Sequence, residues 1–226
     1  MKRLFFLSIF CFFGVAGAAL SEYWLIEQDF IKLGKRDLYE QQKKDFLSKK
    51  RDFLKSEKEL VGVFGFEDLE NPQYVFLNEL KNLSSLELHE PLNQKEREES
   101  LLLQNSLHFQ IFSLHKFLKP CSLKEELVFE SSDQYFFYAI YDIVPGNQSI
   151  FESALAVSAD KFAKDSFGWC VFKSLLAGDC PKYVICLSFP SKEKMKEWNM
   201  EKIVSDIKLR DIFRDKKTGW MKRSSF

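Results

Sequence analysis

Apolar residues recur at helical intervals through the first half of this chain and at alternating intervals through much of the second. Residues 22–60 are charged, nearly free of Gly and Pro, and carry the related runs Lys44-Asp45-Phe46-Leu47 and Arg51-Asp52-Phe53-Leu54 seven residues apart. Tyr39, Phe46, Phe53 and Leu60 continue one row, with Leu47, Leu54 and Val61 beside it, which is the stripe of an amphipathic helix. Gly34 divides this stretch into an entry helix over 24–33 and a longer one over 37–60. The stripe has two readings: a coiled-coil seam that pairs subunits, or a helix packed on its own domain. Residues 61–66 read as an apolar turn, and Pro72 opens a short helix to about Lys81. The strongest helical pattern spans 93–119. There Leu103, Leu107, Ile111, Leu114 and Leu118 fall three and four apart until Pro120 ends the run, as in a central core helix.

Beyond Pro120 the period changes. Residues 126–130 and 134–144 read as strands, the second dense in Phe and Tyr, and Pro145-Gly146-Asn147 supplies its turn. Ser149 and Glu152 form a capping box that opens a helix to about Lys164. Residues 183–189 alternate as a strand, Ser191 caps a last helix, and the basic tail over 214–226 reads as loose. Residues 167–176 suit a strand hairpinned through 177–179, or a helix capped by Gly178; the strand is slightly preferred. The expected fold class is therefore α+β. A helical region over 22–120, built from a long charged amphipathic helix and a core helix, precedes a small antiparallel sheet with packed helices over 121–213, and the flexible tail follows.

The N-terminus changes how all of this is read. Met1-Lys2-Arg3 precedes an uncharged run to Leu20, and Ala16 and Ala18 stand at the −3 and −1 positions of a cleavage site, with Ala19 as the new terminus. Its apolar core is about ten residues, short for a membrane span that needs about 20. The competing reading retains the segment as an anchor to about Ile26, with Tyr23 and Trp24 at the membrane interface. Cleavage is preferred. Either way the protein is expected to be exported, to the periplasm, cell envelope or outside.

Export bears on the cysteines. Cys121, Cys170, Cys180 and Cys186 remain after cleavage, enough for two disulfides. A three-residue hairpin loop over 177–179 places Cys170 opposite Cys186, within bonding range, with Cys121–Cys180 as a weaker second pair. Buried thiols are the equal alternative. Metal chemistry finds little support: His108 and His115 lie seven apart without a third ligand at recognisable spacing. Ser-x-x-Lys matches at Ser113, Ser158 and Ser191 lack their companion motifs, and phosphate-loop and nucleophile-elbow signatures are missing. No cofactor is expected. With 33 basic against 33 acidic residues, no field draws nucleic acid in.

The leading expectation is thus a non-catalytic bacterial envelope or secreted protein acting through protein–protein contacts or self-association, with Tyr39, Phe46, Phe53 and Leu60 facing the partner. An exported enzyme of unknown chemistry is the alternative. The layout also resembles that of membrane-anchored assembly proteins of secretion and pilus systems, without a shared motif.

Overall fold

The computed structural model describes residues 21–54, 58–65, 73–81, 83, 94–124, 128, 135–162, 167–176, 180–191, 193–194 and 212–223. In chain order these form β1 (Tyr23–Ile31), α1 (Arg36–Leu54), β2 (Lys58–Gly65), β3 (Gln73–Leu80), α2 (Gln94–Ser106) and β4 (Leu107–Phe117). A 3₁₀ turn (Lys119–Cys121) leads on to β5 (Tyr135–Ile143), α3 (Gln148–Lys161), β6 (Gly168–Ser174), β7 (Lys182–Phe189) and β8 (Phe213–Arg223). All strand pairs are antiparallel, and the sheet closes on itself in the order β1-β3-β2-β8-β5-β7-β6-β4.

That order is one pattern used twice. The first half runs β4-β1-β3-β2 and the second β8-β5-β7-β6, each the 4-1-3-2 arrangement of a ferredoxin-like unit. The register repeats in detail: Trp24 opposes His115 as Phe136 opposes Met221, and Ile26 opposes Ser113 as Tyr138 opposes Gly219. Even the bulge repeats, between Phe30 and Ile31 and again between Asp142 and Ile143. Two short seams join the halves. β4 meets β6 over His115↔Ser174, Lys116↔Lys173 and Phe117↔Phe172, and β2 meets β8 over Phe64↔Arg223 and Gly65↔Lys222.

Strand alternation sorts the side chains into three cores. Inside the barrel pack Trp24, Ile26, Val75, Leu77, Phe117, Phe136, Cys170, Phe172, Cys186 and Met221. Outside, beneath α1 and α2, lie Ile31, Tyr39, Tyr74, Phe76, Leu103 and Leu107. The third core lies beneath α3, where Phe151 touches the rings of Tyr141, Tyr183 and Phe213.

This architecture corrects the expected one. The helical region over 22–120 contains four of the eight strands, and the fold is a closed sheet flanked by helices. The entry helix is β1: alternation turns Trp24 and Ile26 into the barrel and Ile31 to the outer core, and the chain turns at Gly34, whose φ of +73° suits glycine. Trp24 is wholly buried in the barrel, so it anchors no membrane interface, and no described helix is long and apolar enough to cross a membrane. Residues 61–66 and 72–81 supply most of β2 and β3 where a turn and a short helix were expected. The long core helix stops at Ser106 and becomes a strand, leaving Ile111 exposed. The tail expected to be loose contains β8. Among the described residues no coiled-coil seam runs: Tyr39 is buried against Tyr74, Phe46 is half-buried, Leu60 belongs to β2, and the Phe53 side chain lies outside the described residues. The segment carrying Ala16, Ala18 and Ala19, the expected strand over 126–130 apart from residue 128, and all of 195–211 lie outside the described residues.

Strands β5, β6 and β7 stand where strands were expected, and α3 follows the turn at Gly146. The capping box does not form. Asn147 occupies the cap position without a side-chain hydrogen bond, and Glu152 instead accepts hydrogen bonds from Lys173 and Tyr183.

Candidate active site

Strand alternation leaves the barrel hollow at one end. A cavity of about 480 Å³ is lined on its inner side by apolar residues including Ile26, Val75, Leu77, Val184 and Met221, and also by Ser113, His115, Tyr138 and Cys186. Gln28, Gln73, Asp142, Lys182, Asp215 and Lys217 supply its polar lining, and Lys182 pairs with Asp142 at 3.4 Å. An apolar chamber with a few convergent polar groups is the usual form of a small-molecule site.

His115 is the group with chemistry to offer. It sits on β4 opposite Trp24, is 3% exposed, and faces the ring of Phe172 edge-on. Ser113 lies two residues back on the same face, where its hydroxyl donates to the Ile26 carbonyl at 3.3 Å. The serine oxygen is thereby left to accept from His115 Nε2 at 2.8 Å. That chain of bonds assigns the proton to Nε2 and leaves Nδ1 with its lone pair. Among the described residues nothing bonds to Nδ1, although it is buried. Burial pushes the imidazole pKa down to about 4, because charge is disfavoured away from water. The ring is thus neutral at pH 7, oriented, and has an open acceptor.

Tyr138 enters the cavity from β5 in the space that Gly219 leaves. A Cβ on Gly219 would stand 2.4 Å from the Tyr138 ring, so only glycine fits there. Burial raises the phenol pKa above its ordinary value, keeping it protonated.

A second polar cluster lies outside the barrel wall. Lys43 of α1 is buried against Glu27 at 2.5 Å and Asp29 at 3.0 Å, with its ammonium 4.1 Å from the centre of the Phe76 ring. Tyr39 donates to Asp29, and Gln110 donates to both carboxylates. Burial raises the Glu27 pKa, and Lys43 partly offsets that. These groups answer one another, which marks a structural network.

The other expected site residues separate. Cys170 and Cys186 do oppose each other across β6 and β7, but no disulfide joins any of Cys121, Cys170, Cys180 and Cys186. Trp169 exchanges backbone bonds with Leu123, and the Val171 amide donates to Ser122 Oγ, so both turn away from β7. Cys170 and Cys186 therefore form the wider, hydrogen-bonded kind of cross-strand pair. Burial pushes the Cys186 thiol up to about 12 and the Cys121 thiol up to about 11, which makes both poor nucleophiles at neutral pH. Cys121 Sγ contacts the Glu152 carbonyl, whereas Cys180 Sγ lies 3.0 Å from Arg214 Nη1. His108 stands in the β4 bulge against the Phe109 ring whereas His115 sits opposite Trp24, and no described group of His, Cys, Asp and Glu could hold a metal ion. The importance of His115 was missed because it depends on barrel closure, which residue spacing does not report.

No family model matches the chain, and no curated protein matches it in sequence. Solved structures do match its shape. A proposed monooxygenase from Fusobacterium nucleatum superposes with a TM-score of 0.66 at 11% identity, over 91% of this chain and 94% of that one. An anthrone oxidase-like protein does so with 0.57 at 9%, over 91% and 92%. A variant of chlorite dismutase from Candidatus Nitrospira defluvii gives 0.60 at 11%, over 92% and 93%. The fold is shared. At these identities the likeness carries no residues across. The expectation of a non-catalytic contact protein is overturned on two grounds: its helical row is broken, with Tyr39 buried and Leu60 in a strand, and the proteins that share the fold are named as enzymes.

Proposed function

We propose that this protein is an oxidising enzyme that encloses a small, largely apolar substrate in the barrel cavity, with His115 as its base. The observation that carries this reading is the buried imidazole beside an apolar chamber, whose Nδ1 bonds to nothing among the described residues. An unsatisfied buried acceptor costs free energy, and a substrate O–H or activated C–H would satisfy it. Proton transfer to Nδ1 forms an imidazolium, which burial disfavours unless an anion accompanies it. The substrate anion left behind is that partner, so the site favours ionising a bound acidic substrate over taking a proton from water. With dioxygen as co-reactant, the electron-rich anion is oxidised. When a methylene becomes a carbonyl, one oxygen atom stays on carbon and the other leaves as water.

The names of the fold's neighbours support the oxidising class, and the cavity chemistry supports an apolar substrate with one acidic hydrogen. The test is oxygen uptake with a panel of anthrones and naphthols. His115→Gln should lower kcat/KM about 10²- to 10⁴-fold, the range for loss of a general base. Quenching of Trp24 fluorescence would show that the variant still binds. Turnover unchanged by this substitution would reject His115 as the base.

A further inference from the structure

The seam between β4 and β6 covers only residues 115–117 of β4. Among the described residues, nothing pairs with the outer edge of β4 over 107–113. The Leu175 amide donates to the Leu114 carbonyl, which fixes the parity of the strand as far as the bulge: the backbone groups of Gln110 and Phe112 also point away from β1, and His108 is the extra residue of the bulge. Proteins ordinarily protect such an edge with charge. The second half does so. Through the repeated register, His108, Phe109, Gln110, Ile111 and Phe112 correspond to Arg214, Asp215, Lys216, Lys217 and Thr218 on β8, whose seam to β2 is shorter still. Four of those five carry charge, and none on β4 carries a permanent one.

We propose that the edge of β4 over 107–113 pairs with the same edge of a second copy, making a two-fold dimer. The edge is self-complementary about Gln110. Antiparallel pairing places Gln110 opposite its own copy, so the outward groups of the two Gln110 residues meet in a hydrogen-bonded pair, with Phe112 of each copy beside the bulge at His108 of the other. Without charge of one sign along it, two copies do not repel. Around it Phe109, Ile111, Phe112, Leu175 and Leu176 stand 46, 42, 57, 40 and 80% exposed. Covering these in both copies removes about 1,000 Å² of surface, taking roughly 200 Å² for a whole aromatic side chain, which reaches the size at which specific interfaces begin.

Sedimentation of the full chain tests this, together with hydrogen exchange at the amides of Gln110 and Phe112. The wild type should sediment as a dimer at micromolar concentration with those two amides protected. Phe112→Lys and, separately, Leu176→Lys should weaken the dimer about tenfold or more. Phe112→Lys should also release the two amides, with circular dichroism unchanged in both. A monomeric wild type would overturn the proposal, as would a dimer that neither substitution weakens. Protection that persists in a monomer would place another segment of this chain on the edge and overturn it equally.

Discussion

The two halves of the barrel share strand order, register and bulge, yet fill equivalent places with opposite chemistry. Beneath α1 the first half buries Asp29 and Glu27 against Lys43, with Tyr39 donating from the helix. Beneath α3 the second half places Tyr141 and Ala139 at the matching strand positions and packs Phe151 on them. Inside, His115 faces Trp24 in the first half, and Met221 faces Phe136 in the second. At these matching positions the first half therefore carries buried charges and an imidazole, and the second carries apolar side chains. The difference shows that the backbone plan does not demand the buried charges. What they contribute is specific to the first half, and it can be measured against the second.

The largest expected effect comes from unbalancing the ion network. Lys43→Ala leaves two buried carboxylates without their cation and should cost about 3–5 kcal/mol in urea unfolding. Phe151→Ala, on the matching helix of the second half, should cost a similar 3–5 kcal/mol through the cavity it leaves. The two losses differ in their remedy. Replacing the whole network with apolar groups, as Glu27→Leu, Asp29→Val, Lys43→Met and Tyr39→Phe together, should be neutral or stabilising by about 1–4 kcal/mol. A combined variant as unstable as Lys43→Ala alone would mean that the first half depends on its charges and that the comparison fails.

His115 separates the halves next, through pH. Its pKa is pushed down to about 4 in the folded protein, against about 6.5 for an unfolded histidine. Between those values the unfolded chain binds the extra proton, so stability falls as pH drops from 6.5 to 4. The loss amounts to roughly 3 kcal/mol for a shift of this size. His115→Met installs the residue that the second half carries and removes this contribution. The wild type should therefore lose that much more stability than the variant across the window, with the two profiles parallel above pH 7. Parallel profiles throughout would show that His115 is not held neutral by burial.

These contrasts also explain what was legible in the sequence. Strands β5 and β7 could be read because Phe, Tyr and Ile alternate along them and their outer faces are apolar too. β1 could not, because Glu27 and Asp29 occupy buried positions and gave it the polar look of a surface helix. β4 was hidden differently: Leu107, Ile111 and Leu114 continue the spacing of α2, and only pairing with β1 and β6 turns them into a strand. β8 was read as a tail because its edge is guarded by Arg214, Lys216 and Lys217. The opposed cysteines followed from local hairpin arithmetic. His115 did not, since its environment is assembled from β1, β4 and β6, which are distant in sequence.

The smallest expected effect concerns the seat of Tyr138. Ile26 opposes Ser113 in the first half, where a hydroxyl is tolerated and used to orient His115; Tyr138 opposes Gly219 in the second, where a Cβ would overlap the ring. Gly219→Ala should therefore destabilise by about 1–3 kcal/mol through overpacking, and it should move the ring into the cavity and weaken ligand quenching of Trp24. Removing the ring relieves the conflict, so Tyr138→Ala and Gly219→Ala together should cost less than the sum of the two alone, a coupling that a double-mutant cycle reads directly. Additive costs would mean that the phenol is not held by the missing side chain. Ser113→Gly, which copies the second half into the first, should leave packing nearly unchanged while freeing His115 Nε2. Any loss of activity it causes then reports orientation of the imidazole, separate from the shape of the chamber.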